Sequence, residues 1–549
     1  MKPRPIVVYL LMTLTLCIAG FAAQAPNGYV VAGKVVNSIT GQALPNVSVT
    51  LAPDRSGGPS QTITSSNDGQ FRFAPVAAGK YMLSASGPGF RAQGLNQHGY
   101  FFSAVVTGPE HDTSSILFRL QPDASIRGQV IDEQNEPVRN ATAQLFTVDD
   151  SSGTRHIVTS TNAGTDDQGR YTIPHLAPGT YYVAVSARPW YAQYAPHRLR
   201  GSQARMDADT SLRVQQESSE LDMAYPLTFY PDAPDSSQAS AINLHAGERT
   251  NADLVLRAVP AAHLTIRTDG PSLRGSFPHL MQRVFDNLLV PVLASQGFGY
   301  SQGVYEFAGL APGRYVVEMP VSNGDGSSRN GWFRDVDLYG DVELTSRDSP
   351  AMASVTGMVV YEGAAAPRQG MFVELRNLGS EDSWTGQVSD KGLFGIKDNE
   401  IRPGTYDATL YGGSDWFITR IVAQNAKVQG TQITLTAGAS ARLVCTAMRI
   451  SASLAGTVVF NDKPLAGAMV LLVPDNPSLQ ASRVRRDQSD SDGSFTLRQV
   501  LPGTYTLVAL RNGWDVEWGN PETLKPYLAG GEKITVAAGP SAKLQITAQ

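Results

Sequence analysis

Residues 490–510 read DSDGSFTLRQVLPGTYTLVAL, and residues 166–185 read DDQGRYTIPHLAPGTYYVAV. Both run from a turn of Asp and Gly residues to an aromatic, then through Pro-Gly-Thr-Tyr into an apolar strand. The phrase occurs five times. It pairs Gly69-Gln70-Phe71 with Gly79-Lys80-Tyr81, Gly169-Arg170-Tyr171 with Gly179-Thr180-Tyr181, and Gly303-Val304-Tyr305 with Gly313-Arg314-Tyr315. It continues with Gly392-Leu393-Phe394 and Gly404-Thr405-Tyr406, then Gly493-Ser494-Phe495 and Gly503-Thr504-Tyr505. Aromatic and Tyr are ten residues apart in four copies and twelve in the fourth. Composition does not produce such regularity, so the chain is an internal repeat.

The first copy shows the physics. Phe71 and Phe73 share one face of a strand, APVAAG turns the chain, and Tyr81, Leu83 and Ala85 return along the same inner face, which reads as a hairpin. Gly79 and its counterparts are expected to supply a backbone conformation that a Cβ resists. The Tyr reads as a core aromatic whose hydroxyl finds a partner at the sheet edge, comparable in kind to a tyrosine corner.

Upstream lies a second phrase, GKVVNSITGQALPNVSVTL from Gly33, repeated from Gly128, Gly357 and Gly456. It reads as strand, Pro-containing turn and half-buried strand, with Val47, Val49 and Leu51 alternating. Downstream, segments such as QITLTAGASARLVCTA read as closing hairpins. Each unit thus carries about seven short strands, the signature of a β-sandwich. The expected division is a leader at 1–25, then sandwiches over 26–122, 123–260, 261–351, 352–447 and 448–549, strung out as an extended array. The second has a polar excursion from about Arg198 to Asp222. The third lacks the opening glycine, and its Leu280, Val284, Phe285 and Leu288 fit a helical face, whereas LVPVLAS at 289–295 fits a strand.

Composition agrees with this class. The 52 Gly and 34 Pro suit many short strands joined by turns. At the N-terminus, Lys2 and Arg4 precede an apolar run from Ile6 to Phe21, and Ala23-Gln24-Ala25 offers small residues for cleavage, the pattern of an export signal. No later stretch is long and apolar enough for a membrane helix. Without Lys2 and Arg4 the 44 basic residues become 42 against 49 acidic ones, which provides no footprint for nucleic acid. Cys445 is then the single cysteine and reads as a buried strand thiol, so the units rely on burial rather than disulfides.

The units resemble carboxypeptidase regulatory-like domains, transthyretin-like Greek-key sandwiches that are similar to starch-binding-like folds and recur in exported bacterial proteins. The resemblance rests on the DGxF, PGxY and GxV…P…VxL phrases, and it implies structure and binding without hydrolysis. The residues agree. His245-Ala246-Gly247-Glu248 offers two zinc-ligand types, but no histidine follows His279 to complete a catalytic site. Asp487, Asp490 and Asp492 alternate like a calcium loop but lack the twelfth-position carboxylate, so they read as turn chemistry. No nucleophile elbow or Walker-type loop occurs, and no cofactor or metal is expected.

What remains is a set of loop aromatics after the Tyr strands: Phe90, Trp190 with Tyr191 and Tyr194, Trp416, and Trp514 with Trp518. Each is either a cap on an open core or a platform for a sugar or protein partner. The expectation for Trp514 is a cap; for Trp190 it is a platform. The functional expectation is a non-catalytic scaffold or adhesion protein of the periplasm, cell surface or exterior. Its partners would be polysaccharide or envelope proteins. Polysaccharide binding through the loop aromatics is the alternative, and an accessory role in an exported peptidase system is more remote.

Overall fold

The structure is a computed structural model that describes residues 28–549 apart from 55–57, 152, 154, 194–220, 268–276, 286–287, 293–296, 302–303, 323–327, 346–350, 364–369, 378–382, 413–415, 450–451, 476–482 and 538–542. The leader, most of the polar excursion and Tyr194 therefore lie outside the described residues. The chain is all-β, and its strands form tandem two-sheet sandwiches with separate cores.

The fourth sandwich shows the shared plan. Its opening strand Ala353–Glu362 lies between Leu393–Ile401, antiparallel, and the final strand Ser440–Arg449, parallel. In the facing sheet the Tyr strand Gly404–Tyr411 lies between Phe372–Asn377 and Gln432–Leu435. The same parallel pairing of first and last strands occurs in the other four sandwiches.

This topology corrects the hairpin readings. Gln70–Val76 pairs with Tyr29–Asn37, whereas Gly79–Gly87 pairs with Ser48–Pro53, so the repeated phrase is an arch from one sheet to the other. The closing strands likewise divide between sheets, as Gln432–Leu435 and Ser440–Arg449 do. Alternation reports which side chains point inward, and that is the same for strands side by side and for strands facing across a core.

The arch explains the Tyr. Its hydroxyl donates to the carbonyl four residues earlier in all five copies: Tyr81 to Ala77 (3.1 Å), Tyr181 to Ala177 (2.9 Å), Tyr315 to Ala311 (2.7 Å), Tyr406 to Arg402 (2.5 Å) and Tyr505 to Leu501 (2.7 Å). Each bond ties the return strand to its own turn. Of the glycines that precede the Tyr by two, only Gly79 (φ 156°) and Gly503 (φ 154°) have the positive φ expected of all five. What they share is the tyrosine ring, 3.5–3.7 Å from where a Cβ would stand.

The opening glycine has a different cause. Gly33, Gly128, Gly357 and Gly456 stand directly opposite Phe71, Tyr171, Phe394 and Phe495. A Cβ at Gly456 would sit 2.5 Å from Leu544 O and 2.7 Å from the Phe495 ring. The aromatic of one phrase therefore covers the glycine of the other, and the two motifs are one packing unit. In the third sandwich Ile266 occupies that register opposite Tyr305.

Leu280 and Val284 lie on a strand, His279–Val284, paired with Leu288–Pro291. Leu280 enters the third core, while Val284 packs with Phe146 and Phe229 of the second sandwich. Burial on both faces blurred the strand period. The helix Pro521–Leu528, capped by Asn520, similarly covers the outer face of Met469–Pro474, whose unbroken apolar run reflects two-sided burial.

Candidate functional site

The array is not extended. Residues 488–491 of the fifth sandwich dock on residues 96–106 of the first. Ser103 Oγ donates to Ser489 O (2.8 Å), Ala104 N to Asp490 Oδ1 (2.9 Å), Val106 N to Ser491 Oγ (2.9 Å), and Ser491 N to Ala104 O (2.9 Å). Gln488 Nε2 donates to Asn96 O (2.7 Å), and Lys80 Nζ pairs with Asp490 Oδ2. Burial pushes the Asp490 carboxyl up, against the hydrogen bond and charge of Lys80. The Asp-rich turn is a turn, as expected, since Gly493 N donates to Asp490 O. Its carboxylate also carries an interface that nothing in the spacing revealed.

Beside this seam the His98 ring stacks on Trp514 at 4.7 Å and 4°. Burial holds the His98 imidazole below its usual pKa, which suits a neutral stacked ring. Trp514 Nε1 donates to Gly467 O (3.0 Å). The Arg486 guanidinium lies over Phe101 (4.7 Å) and Trp518 (4.9 Å), and Trp518 packs on the fifth sandwich's outer cluster. Gly519 N donates to Gly153 O of the second sandwich (2.7 Å), so the fifth touches both ends of the first pair.

The remaining candidates separate. Trp416 is buried in the fourth core, edge-on to Tyr361. Trp190 is 82% exposed, with Tyr191 edge-on at 5.7 Å and Tyr191 OH donating to Glu133 Oε1 (3.0 Å). The structure thus places Trp416 in a core and Trp514 and Trp518 at the junction, and leaves Trp190 open.

Other junctions carry buried charge. Arg402 of the fourth sandwich pairs with Glu318 of the third and lies over Phe333 (4.9 Å). His263, 4% exposed, bonds Asp222 Oδ2 through Nε2 (2.6 Å) and Glu306 Oε1 through Nδ1 (3.2 Å), joining the second and third sandwiches. Burial lowers the imidazole pKa, but the two carboxylates outweigh it and hold the value up at about 9. A raised pKa stabilises fully below the ordinary value of 6.5 and loses that contribution as pH rises through about 9. The expected loss is on the order of 3 kcal/mol. Thermal melts across that window should show the fall, and His263→Gln should flatten it.

The catalytic look-alikes are accounted for locally. His245 Nδ1 and backbone N both bond Glu248 Oε2 (2.9 and 2.8 Å) within one turn. Among the described residues no His, Cys, Asp and Glu group is arranged to hold a metal, and no helix is long and apolar enough to cross a membrane. Cys445 is buried, and burial pushes its thiol up to about 12.

Residues 30–119 and 125–215 match the model of the carboxypeptidase regulatory-like domain. No curated protein matches the chain. Similar solved structures include the Bacillus anthracis TIE protein, at 11% identity and TM-score 0.17, covering 77% of this chain and 75% of that one. A streptococcal ancillary pilin matches at 11% identity and TM-score 0.17 over 52% of this chain and 98% of its own. A minor pilin of Streptococcus agalactiae matches at 11% and TM-score 0.21 over 42% and 96%.

Proposed function

We propose that this chain, which carries tandem carboxypeptidase regulatory-like domains, is a non-catalytic exported scaffold whose five sandwiches close into one body. The docking of residues 488–491 on residues 96–106 carries this reading. It joins the first sandwich to the fifth and uses directed hydrogen bonds with a buried carboxylate, which gives a fixed arrangement of loops. A spacer that only supplied reach would have no use for it. The ionic junctions at His263 and Arg402 serve the same rigidity. Export rests on the pattern of residues 1–25. The test is sedimentation of the purified chain with isolated cell envelopes: the scaffold reading expects co-sedimentation and no turnover of peptide or glycan substrates. A chain that stays in the supernatant and hydrolyses either substrate contradicts it.

A further inference from the structure

We infer that Trp190 is a stacking platform for the pyranose rings of a neutral polysaccharide, with Glu133 accepting a hydrogen bond from a sugar hydroxyl. Trp384 packs edge-on to Tyr406, Trp416 is in a core, and Trp514 and Trp518 lie at the junction. Among the tryptophans whose side-chain burial is described, Trp190 alone presents its ring to solvent.

The backbone that carries that ring is braced. The ring stands on a turn closed by Ala192 N to Pro189 O (3.0 Å) and braced by Arg188 Nη2 donating to Ala192 O (2.7 Å). Tyr191 sits at 88° to the indole, and its hydroxyl donates to Glu133. Burial, then Glu133, pushes the Tyr191 phenol up to about 12, so it stays a neutral donor that orients the carboxylate. The backbone under Glu133 is fixed in turn, because Asp132 Oδ1 accepts from Gln134 N and Glu136 N (both 2.9 Å).

Exposure alone does not mark a site, since Tyr100 and Tyr339 are comparably exposed; what sets Trp190 apart is an open indole face beside a second ring and an oriented carboxylate. The exposed residues flanking Trp190 along the chain are Arg188, whose guanidinium is engaged with Ala192 O, and Gln193, with exposed Glu133 reached through the Tyr191 hydroxyl. A protein anchor works within an apolar surround that excludes water. A sugar has an apolar C–H face for the indole and a rim of hydroxyls for carboxylate and amide groups. Glu133 and the chain's net charge of −5 favour a neutral glycan over an acidic one.

The experiment is affinity electrophoresis of the full chain in gels containing hydroxyethyl cellulose, amylose or galactomannan. At least one gel should retard the parent. Trp190→Ala should weaken retention about tenfold or more with an unchanged melting temperature, and Glu133→Gln should weaken it less. Opening the first-to-fifth junction should leave retention intact, so this site is tested independently of the scaffold reading. Retardation in none of the gels, retention unchanged in Trp190→Ala, or a Trp190-dependent protein contact in their place would overturn the inference.

Discussion

Tyr505→Ala is expected to destabilise the fifth sandwich by about 3–5 kcal/mol, the range for truncating a large aromatic in a core. Tyr505 is among the largest fully buried side chains and packs with Val470, Leu472, Phe495 and Leu507. Its hydroxyl also closes the arch onto Leu501 O at 2.7 Å. Tyr505→Phe separates the two contributions, since it keeps the ring and loses only the bond, for roughly 1 kcal/mol. Urea unfolding of the fifth sandwich, followed by the fluorescence of Trp514 and Trp518, reads both. A loss under about 1 kcal/mol for the Ala variant would show that the arch does not depend on its tyrosine.

Asp490→Ala is expected to open the body while leaving each sandwich folded. The substitution strands the Ala104 N–H, buried in the seam, and takes the carboxylate from Lys80, whose Nζ keeps Ser494 Oγ (3.2 Å). Lys80 is more than a third exposed, so solvent screens its share and the ion pair counts for little. The stranded amide dominates, at about 1–3 kcal/mol, a shift of roughly fivefold to 150-fold in the docking equilibrium. Hydrogen exchange should quicken at residues 103–106 and stay slow in the core strand Gly79–Gly87. Equal protection at 103–106 in parent and variant would contradict the docking geometry.

The parts legible in the sequence were those that repeat. Five Tyr phrases and four opening glycines announced five sandwiches, because each unit solves the same packing problem with the same residues. The pairing of strands was not legible, since Phe71 and Leu83 point inward whether their strands are neighbours or face each other. The junctions were hidden for a different reason. Asp490 belongs to an ordinary Asp-Gly turn and Trp514 to an ordinary loop, and their partners Ala104 and His98 lie in the first sandwich, at the far end of the described chain. No local pattern encodes such a contact. His263 was silent for the same reason, being a lone histidine until Asp222 and Glu306 converge on it. A side-chain contact repeated once in every sandwich is visible along a chain, whereas a contact made once is not.

Closure of the array is tested most directly by small-angle X-ray scattering of the purified chain. Sandwiches of about 100 residues have radii of gyration of about 13 Å and diameters of about 34 Å. Five in a straight row give a radius of gyration of about 50 Å, and five in a closed ring about 32 Å. The docking of residue 490 on residue 104 predicts the smaller value for the parent and a rise toward the larger one for Asp490→Ala. A parent near 50 Å, unchanged by the substitution, would contradict the closed scaffold.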